Sequence, residues 1–219
     1  DDSDNGGDEQ SSCPIYLDSN GVTIKACDDA NVGDTGVING YTYTVVDEDM
    51  LRGMVDNEED VTRVVTTKVA DMNAMFVSMD SFNQDISSWD VSNVTDMSAM
   101  FRNSTSFNGF LREWDVSNVT NMQAMFAECN AFNQNIGNWD VSNVTNMRIM
   151  FLFAQSFNKN LNNWNVSSVT DMLSMFDFAT SFNKDLSIWD VSNVTNCENF
   201  SNDSPLTEAN TPNFTNCTP

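Results

Sequence analysis

The sequence predicts an α/β repeat solenoid, leucine-rich-repeat-like, with one short strand and one short helix per 25-residue coil and a small β-rich cap at its N-terminal end. Three observations predict it. The stretch Trp-Asp-Val-Ser-Asn-Val-Thr begins at Trp89 and returns, nearly unchanged, at Trp114, Trp139, Trp164 and Trp189; a fixed period of that size marks stacked repeats. Within each copy Trp89 and Val91 alternate with Asp90 and Ser92, the pattern of a half-buried strand. Thr95 then precedes Met97, Met100, Phe101 and Ser104 at i, i+3, i+4 and i+7, one buried helical stripe behind an N-cap.

The chain divides in order. Residues 1–12 are acidic and rich in Gly and Ser, without apolar anchors, and read as a flexible leader. Residues 13–58 read as the cap. Ile15–Leu17 and Val22–Ala26 are strand-like, and Asn39-Gly40 between Gly36–Ile38 and Tyr41–Val46 is a hairpin signal. Asp47 then starts a helix carrying Met50, Leu51, Met54 and Val55. Residues 59–201 hold the repeats. The first is degenerate, with Val64 in the Trp place, and the last decays at Cys197 and Phe200. Residues 202–219 read as a disulfide-tied C-terminal tail.

Composition narrows the function. The chain has 219 residues, enough for a core of its own, and 40% of them are hydrophobic. No apolar run approaches the roughly 18 residues of a membrane helix, so membrane insertion is not expected. The net charge is −23, and half of the 32 acidic residues fall in the first 60 positions. Such a surface repels phosphate backbones, which excludes nucleic acid. There is no histidine, so Ser-His and Cys-His catalysis is impossible. No glycine-rich phosphate loop occurs, and no carboxylate pair is set apart. The sequence predicts no enzyme and no cofactor. Zinc is disfavoured by the absence of a CxxC pair.

Five cysteines are present. Cys13 and Cys27 flank a short hairpin, and Cys197 and Cys217 bracket the tail. They read as two staples, Cys13–Cys27 and Cys197–Cys217, made in an oxidising compartment. Cys129 shares a column with Met79, Ser104, Ala154 and Ala179 and reads as a buried free thiol.

The copies of WDVSNVTDMSAMF and FNQDISSWDVSNVT, with the preceding GVTIKA and GDTGVINGYTYTVVDE segments, resemble the BspA-like surface proteins, whose repeats are grouped with leucine-rich repeats. The resemblance covers roughly residues 13–201. It implies an extracellular or cell-surface protein with adhesive or structural roles and no catalytic residues.

Two features are candidates for function. Ten Asn-x-Ser/Thr sequons occur, at Asn93, Asn103, Asn118, Asn143, Asn165, Asn193, Asn199, Asn202, Asn213 and Asn216. They are either glycan acceptors along one flank or, in the repeats, an internal ladder capping backbone groups. A second Asn column, at 83, 108, 133, 158 and 183, forms no sequon and reads as a buried structural ladder. Asp90, Asp115, Asp140 and Asp190, beside a Ser two residues on, read as an outward acidic row and a candidate ligand face; no calcium motif accompanies them, so no metal is expected. The first expectation is a secreted structural repeat protein, N-glycosylated along its repeats and assembling head to tail into a fibre. The alternative is an adhesin that binds a glycan or host protein through the Asp/Ser face.

Overall fold

The computed structural model describes residues 14–219. The expected leader of residues 1–12 and Cys13 lie outside the described residues. Strands β1 (Ile15–Leu17) and β2 (Ile24–Ala26) pair antiparallel, Ile15 opposite Ala26. Their turn is fixed by Asn20, whose Oδ1 accepts from the amides of Val22 and Thr23 at 2.9 Å each. Strands β3 (Thr35–Ile38) and β4 (Tyr41–Val45) form a second antiparallel hairpin. Asn39 and Gly40 turn it with φ of 52° and 82°, the left-handed pair that a two-residue hairpin loop needs. Helix α1 (Glu48–Asp56) follows. Asp47 caps it by accepting from the Met50 amide at 2.9 Å, and Leu51 and Val55 are its buried face. Strand β5 (Val64–Val65) then pairs in parallel with β4, which joins the hairpins to the first coil. Ile15, Ile24, Ala26, Ala30, Val45 and Val65 form a small core of their own.

Beyond Val65 the expected α/β repeat solenoid is corrected. Among the described residues, helix and strand are confined to 15–65, apart from one 3-10 turn at Glu208–Asn210. The coils contain neither the strand at Trp89–Ser92 nor the helix at Met97–Ser104, and the leucine-rich-repeat arrangement falls with them. The physical reason is visible in one coil. Ala99 and Asn103 have φ of 54° and 58°, a left-handed conformation that no α-helix contains. The Met97, Ala99 and Phe101 amides reach across to Asn121, Gln123 and Met125 carbonyls at 3.0, 2.7 and 3.0 Å, while Met100 and Arg102 close back on Met97 and Ala99. The segment is a string of three-residue closures whose alternate amides bind the next coil. Closures from i to i+3 bury the same i, i+3, i+4 positions as a helix, so Met97, Met100, Phe101 and Ser104 are all buried without being helical. Only single parallel bridges resemble a sheet, running Asp71, Asp96, Asn121, Asn146, Asp171, Asn196.

The coils stack through ring columns. Trp89 and Trp114 lie 6.5 Å apart and near parallel, Phe101 and Phe126 5.7 Å, Phe107 and Phe132 6.0 Å. Within a coil Phe101 stacks on Phe107 at 3.9 Å. Each indole N–H also donates to a carbonyl of the preceding coil: Trp89 to Val61, Trp114 to Ile86, Trp139 to Leu111, Trp164 to Ile136 and Trp189 to Leu161, at 2.9–3.2 Å. A buried indole needs such a partner, and here it fixes the register of the stack.

The tail packs against part of the last coil. Cys197 and Cys217 are disulfide-bonded. Phe214, 25 residues after Trp189, packs edge-on against Phe200 at 5.0 Å, so an aromatic ring continues past the last Trp.

Candidate functional site

The polar residues of the repeats come from its tight corners. In each Trp-Asp-Val-Ser-Asn corner the Asp folds back on the Ser: Asp115 Oδ1 accepts from the Ser117 amide at 3.1 Å and its hydroxyl at 2.6 Å. Ser142 and Ser192 amides bond Asp140 and Asp190 in the same way. These bonds, from Ser hydroxyl first and Ser amide second, hold the Asp140 and Asp190 carboxyls below the usual carboxylate range. Asp115, Asp140 and Asp190 are exposed. Asp90 is not: it is 2% exposed, accepts from Thr67 Oγ1 at 2.6 Å and lies 4.0 Å from Lys25 Nζ. The expected outward row is therefore interrupted at its first member, because β2 and the first coil cover it. Its fourth place is taken by Asn165, whose Oδ1 holds Ser167 likewise.

The sequon asparagines are exposed at 93, 118, 143, 165 and 193, yet most of their amides are engaged. Nδ2 of Asn93, Asn118, Asn143 and Asn193 donates to the carbonyls of Thr67, Ser92, Ser117 and Ser167 at 2.7–2.8 Å. Asn216 in the tail adds a further rung to Ser192 at 2.6 Å. Asn103 donates to Ser78 Oγ at 3.2 Å and Asn202 to Asp203 at 3.2 Å. The rung to Ser142 is missing, since Ser168 stands where Asn is expected. Among the described residues, the Asn165, Asn199 and Asn213 side-chain amides donate to no group of the chain.

The second Asn column is a ladder too, though it is half-buried to exposed rather than buried. Each backbone amide from Asn108 to Asn183 donates to Oδ1 of the Asn 25 residues earlier, at 2.9–3.3 Å. It rides on the outer side of the Phe column, where water reaches it.

Of the cysteines, Cys197 and Cys217 are paired as expected; Cys13–Cys27 cannot be placed because Cys13 lies outside the described residues. Cys129 is buried and donates to the Phe101 carbonyl at 2.7 Å. Burial raises its thiol far above the ordinary value, so it stays protonated and unreactive. Among the described residues no cluster of three metal-ligating side chains forms, and no helix is long and apolar enough to cross a membrane.

One concave place went unread in the sequence. Tyr41 and Tyr43 of β4, Arg63 before β5 and Asp85 in the first coil line a recess of about 430 Å3. Its residues come from four separate stretches of chain, so no local motif announces it.

A family model described as "Mycoplasma protein of unknown function, DUF285" matches residues 46–138 and, overlapping them, 109–214. No curated protein and no solved structure matches the chain.

Proposed function

The chain belongs to the DUF285 family, and on that premise we propose that it is a non-enzymatic structural repeat protein of the cell exterior, glycosylated at a subset of its sequons and assembling end to end. The observation that carries this reading is where the polar chemistry goes. Indole N–H, sequon amides and Asp carboxylates are spent on bonds between coils or within corners, which is what a scaffold needs. Rows of residues suit surfaces better than convergent active sites.

Glycosylation follows the free amides. Asn165, Asn199 and Asn213 carry the glycans, while the Asn93-type amides remain rungs. End-to-end assembly is supported by the last coil. Its Cys197, Asn199 and Ser201 amides correspond to those of Met172, Ser174 and Phe176, which donate forward to the next coil; among the described residues they have no acceptor. Unpaired backbone amides of this kind accept carbonyls from another chain.

The test is the intact mass of native protein before and after glycosidase, with peptide mapping. Added mass confined to Asn165, Asn199 and Asn213 supports the reading, and a bare polypeptide mass sinks its glycan part. Light scattering that finds only monomers up to high concentration sinks the assembly part.

A second reading has one observation in its favour. Asp115 and Asp190 each leave Oδ2 unengaged on an exposed flank. An adhesin gripping a glycan or host protein through Asp115, Asp140 and Asp190 would lose its ligand in the triple Asp→Asn variant.

A further inference from the structure

The recess at the junction of the hairpins and the first coils differs in kind from the repeat faces. Tyr41 and Tyr43 are two apart on β4 and so share one face of the strand. Tyr41 is 52% exposed, while Tyr43 is half-buried against the small N-terminal core. Arg63 lays its guanidinium over the Tyr41 ring, 4.4 Å from the centroid, and its carbonyl is pinned by the Thr44 amide at 3.1 Å. Asp85 uses Oδ1 to hold the Ser87 amide at 3.0 Å and keeps its other oxygen. The Thr62 and Ser87 hydroxyls complete the rim.

Arg63 is the informative residue. The chain has 32 acidic and 9 basic residues, and Lys25, Arg52, Arg102 and Arg112 each lie within 4.0 Å of a carboxylate. Arg63, like Lys68, Arg148, Lys159 and Lys184, has no carboxylate within 4.0 Å among the described residues. Its charge reaches only as far as Asp60, whose carboxyl it helps Thr62 to hold below the ordinary value. What sets Arg63 apart is its seat on the Tyr41 ring. Its stem and plane are fixed by the tyrosine and by β4, and its N–H fork is left over. A guanidinium held by cation–π contact is oriented in advance for a planar anion.

We propose that this recess binds a carboxylated pyranose, a uronic acid unit of an acidic polysaccharide. The Arg63 fork takes the carboxylate with two parallel hydrogen bonds. The tyrosine rings give the apolar face of the sugar a platform. Asp85 and the rim hydroxyls bond the sugar hydroxyls. The volume of about 430 Å3 is at the small end of ligand pockets, which suits one or two sugar rings.

The proposal is independent of the structural reading above, since none of these residues belongs to the Asp or sequon columns of the coils. The test uses the full chain made without glycans. Trigalacturonate, maltotriose and trialanine are titrated by calorimetry and by amide NMR. Saturable binding of trigalacturonate, weakened about tenfold or more in Arg63→Lys and in Tyr41→Ala and unchanged in Arg112→Lys on the exposed surface of the coils, supports it. Arg63→Lys keeps the charge and is checked for an unchanged melting curve, so a loss there is a loss of the fork. No saturable binding overturns the proposal. So does binding that ignores both variants, equal binding of maltotriose, or equal binding of trialanine, which would make the recess a reader of peptide carboxylates.

Discussion

The N-terminal hairpins and the repeat coils solve the same problem in opposite ways. In residues 15–56 backbone groups find partners close by in sequence: Ile15 faces Ala26, Thr35 faces Thr44, and α1 bonds within itself. In the coils the alternate amides find partners about 25 residues away. The hairpins therefore take shapes that local propensity favours. The coils take shapes that only a neighbouring coil makes tolerable, such as left-handed Ala74, Ala99 and Ala124. Stability in such a stack resides in the interfaces between units.

The comparison can be broken most strongly at the ring column. Trp139→Ala removes a 3% exposed ring and the indole bond at 2.9 Å to the Leu111 carbonyl, which keeps only the Trp114 amide at 3.2 Å. The expected loss is about 3–5 kcal/mol, read from the denaturant midpoint. Val37→Ala in the hairpin, 66% exposed, should change stability by no more than about 0.5 kcal/mol. Equal effects would mean that the coils do not depend on their neighbours.

A sharper and smaller test uses Ala99→Gly. In a helix this change costs about 1 kcal/mol. At φ of 54° it relieves left-handed strain instead, and a gain of up to about 1 kcal/mol is expected. A measured loss would restore the helix at this position.

Smaller again is Ser168→Asn, which supplies the missing rung to the Ser142 carbonyl. A gain of about 0.5–1 kcal/mol is expected. No gain in the melting temperature would show that the rungs contribute little.

Acid gives the smallest effect. The Asp140 and Asp190 carboxyls sit below their ordinary values in the fold, held by Ser142 and Ser192. A lowered folded value stabilises above the unfolded value of about 4, and that contribution disappears as pH falls through the folded values. Melting curves from pH 6 down to pH 2 should decline below about pH 4, less steeply in the Ser142→Ala/Ser192→Ala double variant.

Burial was legible in the sequence to a degree that geometry was not. Trp89, Val91, Val94, Met97, Met100 and Phe101 are all in the core, as their spacing says. The helix was misread because chained i to i+3 closures give the same apolar spacing as a helix, and an alanine, unlike glycine, does not advertise a left-handed backbone. The N-terminal hairpin was plain at Asn39-Gly40, where the turn residues are those the backbone demands. Exposure of Asp115, Asp140 and Asp190 was read correctly; that of Asp90 was not, because Lys25 and Thr67, which cover it, lie 65 and 23 positions before it. The choice between glycan acceptors and a ladder could not be read from a motif shared by both. It is geometry that separates Asn165 from Asn118.

The indole rungs have a mechanical consequence. Each coil is held to its neighbour by its own set of bonds, so a chain pulled from its two ends gives way in units. One coil of 25 residues pays out about 85 Å of extended backbone before load passes to the next. The Cys197–Cys217 bond keeps its loop of 20 residues shut throughout, so the last coil is the one that cannot unwind fully. Such a molecule lengthens in steps under tension and takes up force as a tether does.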